Sequence, residues 1–560
     1  MNDLSPPKPE DLRPPHVVMR LARLGAFHQC RLSFMRTLLR RMKREDWEFS
    51  RPVFDVDGAG VGTAVYTATG PERSYSLVCF GHDLPPDQRS DRVIAEAWDA
   101  TFALHDGIPD AEDIARLAAN VPKQEAGRVS AKELTLSRAN RSVRLFAHVI
   151  DCLAAGQQPD RDKITEVGYL MRTTAVYGSG KFGALDRAGV QERAECNGPF
   201  QLEMLTVFLI RAFVLDLVEH MARERAPDRA VALEPALRRR FGIGNSTGLG
   251  MAPFLINHPL LIHKWIAARE TALARVRAVG QARARDRAAF TDALARARRQ
   301  ADDWRSAHDL QIAKLADLRG DLARIAAHAA EFTAGANPWD ALYRWGAKTL
   351  TLEGQEALVA LILEPHGDLI DDLTDEMAAD EVAGFDIDGA MPLAKIRDII
   401  AREYRWAREI DWQARPAQAR AWYVSEEKLE PRLGERHDEP IADYEQPLAP
   451  GRDIAAMADD LDHFGGDTCA AFLRQHPEHR HSLRRAQIVA AHPYAEIRDN
   501  TIAATMLPID LLRCKLSFFG ASNFDPRSDR WLRINMFQNA PFPHELASAD
   551  PDQWSYGPEA

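Results

Sequence analysis

Cysteine is scarce and scattered in this chain: Cys30, Cys79, Cys152, Cys196, Cys469 and Cys514 form no CxxC or similarly close pair. That spacing fits reduced thiols better than a disulfide framework or a cysteine zinc site. A long hydrophobic run is missing as well. The most apolar stretch, residues 204–218, is too short to span a bilayer and carries Arg211 and Asp216, so it reads as a buried core helix. Residues 1–10 lack the basic-then-apolar layout of a signal peptide, and the expected location is cytoplasmic, with no membrane partner. Positive charge is not in excess: Lys and Arg number 71 against 82 Asp and Glu, a formal net charge of -11. That balance argues against a general nucleic-acid binder, though not against one local basic cleft. No repeat of fixed period and no low-complexity tract is present.

What is present is enough apolar residue, 46% of 560, to build two to four hydrophobic cores. Residues 1–16 are proline-rich and read as an extended arm. Residues 17–45 read as a basic amphipathic helix. From Trp47 to His105 the period changes to two, in Val53–Asp57, Gly62–Thr69 and Ser74–Phe80, broken at Gly58, Gly60 and Gly70-Pro71. That pattern predicts a small antiparallel meander within an α+β region over 17–135. Residues 93–102 read as its fourth strand or as a helix. Beyond it helical signals dominate. Ser137–Asp151 reads as a helix with Ser137 as N-cap and with Asn140, Arg144, His148 and Asp151 in one polar stripe. Phe290, Leu294, Ala297, Ala301, Trp304 and His308 recur at spacings of three and four, and Leu315 to Phe332 continue the pattern. This predicts a long coiled-coil-like helix within a two-helix antiparallel arm over 257–335. The fold class expected is therefore mainly α: a multi-helix bundle with a small N-terminal meander and that arm. Residues 136–256 form its helical core and residues 336–560 a helical region ending in aromatic loops.

Two glycine-rich stretches draw attention within that core, Tyr177-Gly-Ser-Gly-Lys-Phe-Gly183 and Gly242-Ile-Gly-Asn-Ser-Thr-Gly-Leu-Gly250. Backbone amides exposed by glycine make cradles for anions. The first stretch is not a Walker loop, because Ala175 stands where glycine is required and Phe182 where Ser or Thr is. Tyr177 and Lys181 match a Tyr-x-x-x-Lys pair, but the intervening glycines do not suit the helix that pair needs. No GxGxxG follows a plausible strand near the amino terminus, so a dinucleotide fold is not suggested. Tight packing explains such glycines as readily as a ligand does. His476, His479 and His481 lack a carboxylate at matching spacing and are not read as metal ligands. Asp216 and His220 sit four residues apart on the apolar helix, where a simple structural contact is the commoner outcome.

These residues point to an enzyme acting on a small anionic metabolite, a carboxylate or phosphate. Arg138, Asn140, Arg141, Arg144, Arg172, Ser179, Asn245, Ser246 and Thr247 would bind it, and Tyr177, Lys181 and His258 would serve as acid or base. The reaction suggested is proton transfer, as in elimination or isomerisation, by a lyase or isomerase. No metal and no cofactor is evident, while a flavin-type organic cofactor in the glycine loops stays open. The rival reading is a non-catalytic helical interaction protein that uses the arm and the basic first helix. A homo-oligomer built through the arm is expected in either case.

Overall fold

Alternating β-branched and small residues after Trp47 produce antiparallel hairpins, and the sheet they begin runs far beyond a meander. The computed structural model describes residues 8–85, 87, 97–122, 130–174, 190, 193–196, 200–248, 255–256, 258–330, 335–377, 386–414, 422–425, 431–433, 445–448, 450–498, 508–522 and 531–552. Strands β1 (Glu48–Val56), β2 (Gly62–Thr69), β3 (Ser74–Gly81), β4 (Ala100–Asp106), β5 (Glu133–Arg141), β6 (Tyr169–Thr174) and β7 (Gly242–Gly248) lie side by side in chain order. A small separate sheet holds β8 (Trp422–Ser425), β9 (Pro431–Leu433) and β10 (Glu445–Leu448). Strand β11 (Trp531–Met536) then returns from the far end of the chain to pair with β7 as the eighth member of the main sheet. Every pairing in the main sheet is antiparallel except β6 with β7, which is parallel.

The curled sheet, open between β1 and β11, wraps part of the way around one helix, Gln201–Arg225. Apart from Asp216 and His220, every residue from Gln201 to Ala222 on it is buried. A helix apolar on all sides has to be enclosed. It packs against β2, β3, β5, β6 and β7. Thr135 of β5 and Thr206 of the helix share a hydroxyl hydrogen bond of 2.8 Å. Arg211, in the middle of the helix, is buried and donates to the carbonyls of Phe241 (2.7 Å), Ala540 (2.9 Å) and Arg239 (3.1 Å). Three carbonyl dipoles thus take the place of water around that guanidinium, which would otherwise be costly to bury. On the other face of the sheet Val78, Phe80, Ala103 and Leu136 meet Leu117 and Val121 from the end of helix Ala111–Asn120. A separate apolar cluster joins helices Leu393–Glu403, Pro450–His463, Cys469–Gln475 and Arg480–Ala491.

The expected fold class is overturned: an eight-stranded curled mixed sheet replaces the small meander and mainly helical bundle. The miss begins at residues 137–141, which are strand, not the first turn of a helix; the helix starts only at Phe146. Short polar residues carry almost no strand signal of their own, and β5 is held by ladders to β4 and β6 on both sides. Asn140, Arg144, His148 and Asp151 consequently form no single stripe. Residues 242–248 are strand as well. Their glycines fit close packing: a Cβ at Gly244 would lie 2.7 Å from the Tyr169 ring, and one at Gly242 would lie 2.6 Å from the Met536 carbonyl. The segment expected as one long coiled-coil-like helix is two helices, Ala284–Asp303 and Asp309–Ala330, folded on each other across the break at Trp304. Phe290, Leu294, Ala297, Leu315, Leu318 and Leu322 on that seam are buried in the main core. Heptad-like spacing records one buried face and does not say whether the partner belongs to another chain. Residues 17–45 are also broken up, and only Phe34–Arg44 is a helix of any length. Among the described residues no helix is long and apolar enough to cross a membrane.

Candidate functional site

Strand registers decide which of the expected residues meet. Thr101 of β4 lies opposite Arg138 of β5, and Asn140 of β5 lies opposite Arg172 of β6. Arg172 is level with Gly244 of β7, while Gly244 and Ser246 lie opposite Asn535 and Arg533 of β11. Partners in register share a face of the sheet, and neighbours along a strand alternate. Thr101, Arg138, Asn140, Arg172, Ser246 and Arg533 therefore stand on one face. Arg141 and Asn245 stand on the other.

The direction of the strands adds to this. The carbonyl of Phe241, just before β7, accepts from Arg211 midway along the enclosed helix, and Thr135 early in β5 meets Thr206 near its start. Strands β6 and β7 thus run together toward the amino end of that helix, which packs on the face of the sheet opposite to Leu136 and Arg138. Thr174 and Gly248 end two neighbouring parallel strands, and the second glycine-rich stretch is β7 itself as far as Gly248. Tyr177, Ser179 and Lys181 lie outside the described residues, and Thr247 is described as part of β7 in its backbone alone.

Side chains on the first face are tied down. Asn140, 2% exposed, accepts the Asp99 amide through Oδ1 (2.9 Å) and donates through Nδ2 to the Ala97 carbonyl (3.1 Å). Asp99 in turn accepts the Arg141 amide at 2.9 Å. These bonds pin residues 97–99 beside β5 and set the Trp98 ring under the Arg138 guanidinium, 3.8 Å away. Burial lowers the Arg138 pKa to about 10. Such an arginine keeps its charge at neutral pH but is less well hydrated than a surface one. Arg172 is only 2% exposed. His82, at the end of β3, reaches the Thr101 hydroxyl with Nε2 at 2.8 Å, and burial lowers its pKa below the ordinary value. Its imidazole is neutral at pH 7, the form a general base needs. At the carboxyl edge, Asn245 donates to the Thr173 carbonyl (3.3 Å) and accepts the Ser246 amide (2.8 Å). The Ser246 and Thr173 hydroxyls are buried and meet no hydrogen-bond partner among the described residues.

Arg141 goes elsewhere: its Nη2 donates to the Ala59 carbonyl (3.2 Å), and its guanidinium lies over the Phe146 ring. It braces the turn after β1. Arg144 lies in the turn between β5 and helix Phe146–Ala154, partly buried. His258 precedes helix Pro259–Arg277, at the junction where Arg485 donates to the Ile256 carbonyl (2.9 Å), and it is not on the strands. Asp216 of the apolar helix accepts from Arg51, Tyr66 and Arg238, so it anchors an ion-pair cluster.

The sequence reading passed over His82, Trp98, Thr101 and Arg533. One signal was available. The alternation of Ser74–Phe80, carried two residues further, sets His82 on the same side as Phe80.

Chemically, Arg138 and Arg172 are diagonal neighbours on adjacent strands, a separation on the order of 7–8 Å between backbones. Two guanidinium groups on one face of neighbouring strands are the kind of donor pair that carboxylate and phosphate groups accept from. Tests against known proteins give no likeness to lean on: no family model, no curated protein and no solved structure matches this chain.

Proposed function

We propose that the protein is an enzyme that binds a small carboxylate- or phosphate-bearing metabolite over the face shared by Arg138, Arg172 and Ser246. The chemistry we propose is movement of a proton on that metabolite, as in elimination or isomerisation. The observation that carries this reading is the register that sets Arg138 and Arg172 diagonally beside the carboxyl edge of β6 and β7. Asn140 acts as a positioning residue, because its amide holds the Trp98 segment against Arg138. His82 takes the acid–base role first given to His258, since a neutral imidazole lies one strand from Arg138 through Thr101. Tyr177 and Lys181, on the stretch that continues from Thr174, stay as further acid–base candidates.

The test is a thermal-shift screen of small dicarboxylates, hydroxy acids and sugar phosphates with the full chain. A true ligand at a hundredfold excess over its Kd stabilises by roughly 2.7 kcal/mol. Arg138→Met is expected to abolish that shift, while His82→Gln keeps it and loses turnover. If no anion in the screen moves the melting temperature, or if Arg138→Met responds as the wild type does, the proposal fails.

A further inference from the structure

Three histidines near residue 480 showed no carboxylate at matching spacing when read along the chain, and the fold brings Asp460 to them from a different helix. Asp460 projects from helix Pro450–His463 toward the end of helix Cys469–Gln475, where His476 and the turn Pro477–His479 follow. His479 Nε2 is 2.7 Å from Asp460 Oδ2, and His476 Nδ1 is 3.7 Å from the same oxygen. Glu478 Oε1 lies 3.4 Å from His476 Nδ1. One donor atom from each of the four residues falls within 4.8 Å of every other.

We propose that Asp460, His476, His479 and Glu478 form a binding site for one divalent cation of the zinc class. Two imidazoles with two carboxylates is a donor set that suits zinc better than calcium or magnesium, which take oxygen ligands. Bonds of about 2.0–2.1 Å put tetrahedral ligand atoms roughly 3.3–3.5 Å apart. The His476–Glu478 and His476–Asp460 distances already lie near that edge. The Asp460–His479 hydrogen bond is shorter, and it opens by about half an ångström when a cation replaces the shared proton.

The rings are held in place from behind. Phe472, fully buried, stacks on His476 with centroids 4.8 Å apart and on His479 at 5.8 Å. Rings locked by packing lose little entropy when a metal binds. Asp460 comes from helix Pro450–His463 and the other three donors from residues 476–479, so the cation would clamp that helix to the turn before Arg480–Ala491. An ordinary Asp–His hydrogen bond accounts for the 2.7 Å contact alone. It does not account for a second imidazole and a second carboxylate converging on the same point. A cleft of 510 Å³ opens beside the site, lined by Asp460, His463 and His476. Glu478, the most exposed of the four donors at 60%, is the ligand that water or another molecule would displace.

The experiment uses the full chain, stripped with a chelator and then titrated with Zn²⁺ by calorimetry and with Co²⁺ by visible absorption. The wild type is expected to bind one ion and to give the intense visible bands of tetrahedral Co²⁺, without a sulfur charge-transfer band. His479→Gln and Asp460→Asn are expected to weaken Zn²⁺ binding by roughly a hundredfold or more, and Glu478→Gln by about tenfold. Wild-type binding that stays unsaturated, or variants that bind as the wild type does, would overturn the proposal. Should the variants misfold, as read by circular dichroism, the wild-type Co²⁺ spectrum decides. Sulfur charge transfer would place the ion on the cysteines and refute the site.

Discussion

Lys515 offers the sharpest test of the packing. It opens the π-helical turn Lys515–Phe519, is buried, and holds its amine 4.5 Å from the centre of the Phe519 ring. Burial lowers its pKa to about 7 from an ordinary 10.5. At about 1.4 kcal/mol per pH unit, that difference makes folding at neutral pH less favourable by on the order of 4–5 kcal/mol. The sign follows from proton counting. Between the folded and unfolded pKa values the unfolded chain binds more protons, so stability rises with pH across that window. From about pH 7 to about pH 9 the residue should add about 2 kcal/mol of stability. Lys515→Met keeps the length and removes the amine. It is expected to raise stability at pH 7 by about 2–4 kcal/mol, after some loss in packing, and to erase the rise toward pH 9. Urea denaturation of both proteins at three pH values measures this. If the two midpoints keep the same difference at every pH, or if the variant is the less stable at pH 7, then Lys515 is not desolvated as described.

Two further outcomes follow from the same structure. Glu356 is buried between Arg13 (2.7 Å) and Arg23 (2.8 Å), and its pKa is lowered to about 2 despite burial, by the charges of Arg13 and Arg269 and the hydrogen bond from Arg13. Because the folded pKa is depressed, its contribution is complete above the ordinary carboxylate pKa and is lost as the pH falls toward 2. Glu356→Gln should cost about 3–5 kcal/mol at neutral pH and flatten the acid limb of the stability curve, read by denaturation from pH 3 to pH 7. Gly244→Ala sets a methyl 2.7 Å from the Tyr169 ring and should cost about 1–3 kcal/mol. Tyr169→Ala in the same chain should recover part of that loss, and a strictly additive double mutant would refute the contact.

The legible part of this protein was what local pattern controls. Hairpins β1–β3 were visible because one face of each strand is apolar and glycine breaks the turns. The helix around Met204–Val218 was visible because a segment apolar on every side has no place but the interior. The seam Phe290–Leu322 was also visible as a buried stripe, but its partner was not: the stripe has the same spacing whether it meets its own chain or another. At the candidate site, Arg138, Asn140, Arg172 and Ser246 were singled out for their residue types, and their grouping on one face depends on β5 being a strand. That strand was hidden, since Ser137-Arg-Ala-Asn-Arg141 shows no apolar alternation and fits a helix equally well.

By itself the sequence determined the apolar segments that must be enclosed and the two glycine-rich stretches. These follow from short-range spacing and composition. Tertiary structure alone decided the rest: β11 travels nearly three hundred residues to pair with β7, Arg138 comes to lie diagonal to Arg172, and Asp460 arrives beside His476 and His479. Hydrogen-bond ladders and core packing make those choices between residues far apart in the chain, where no local preference of either partner reaches.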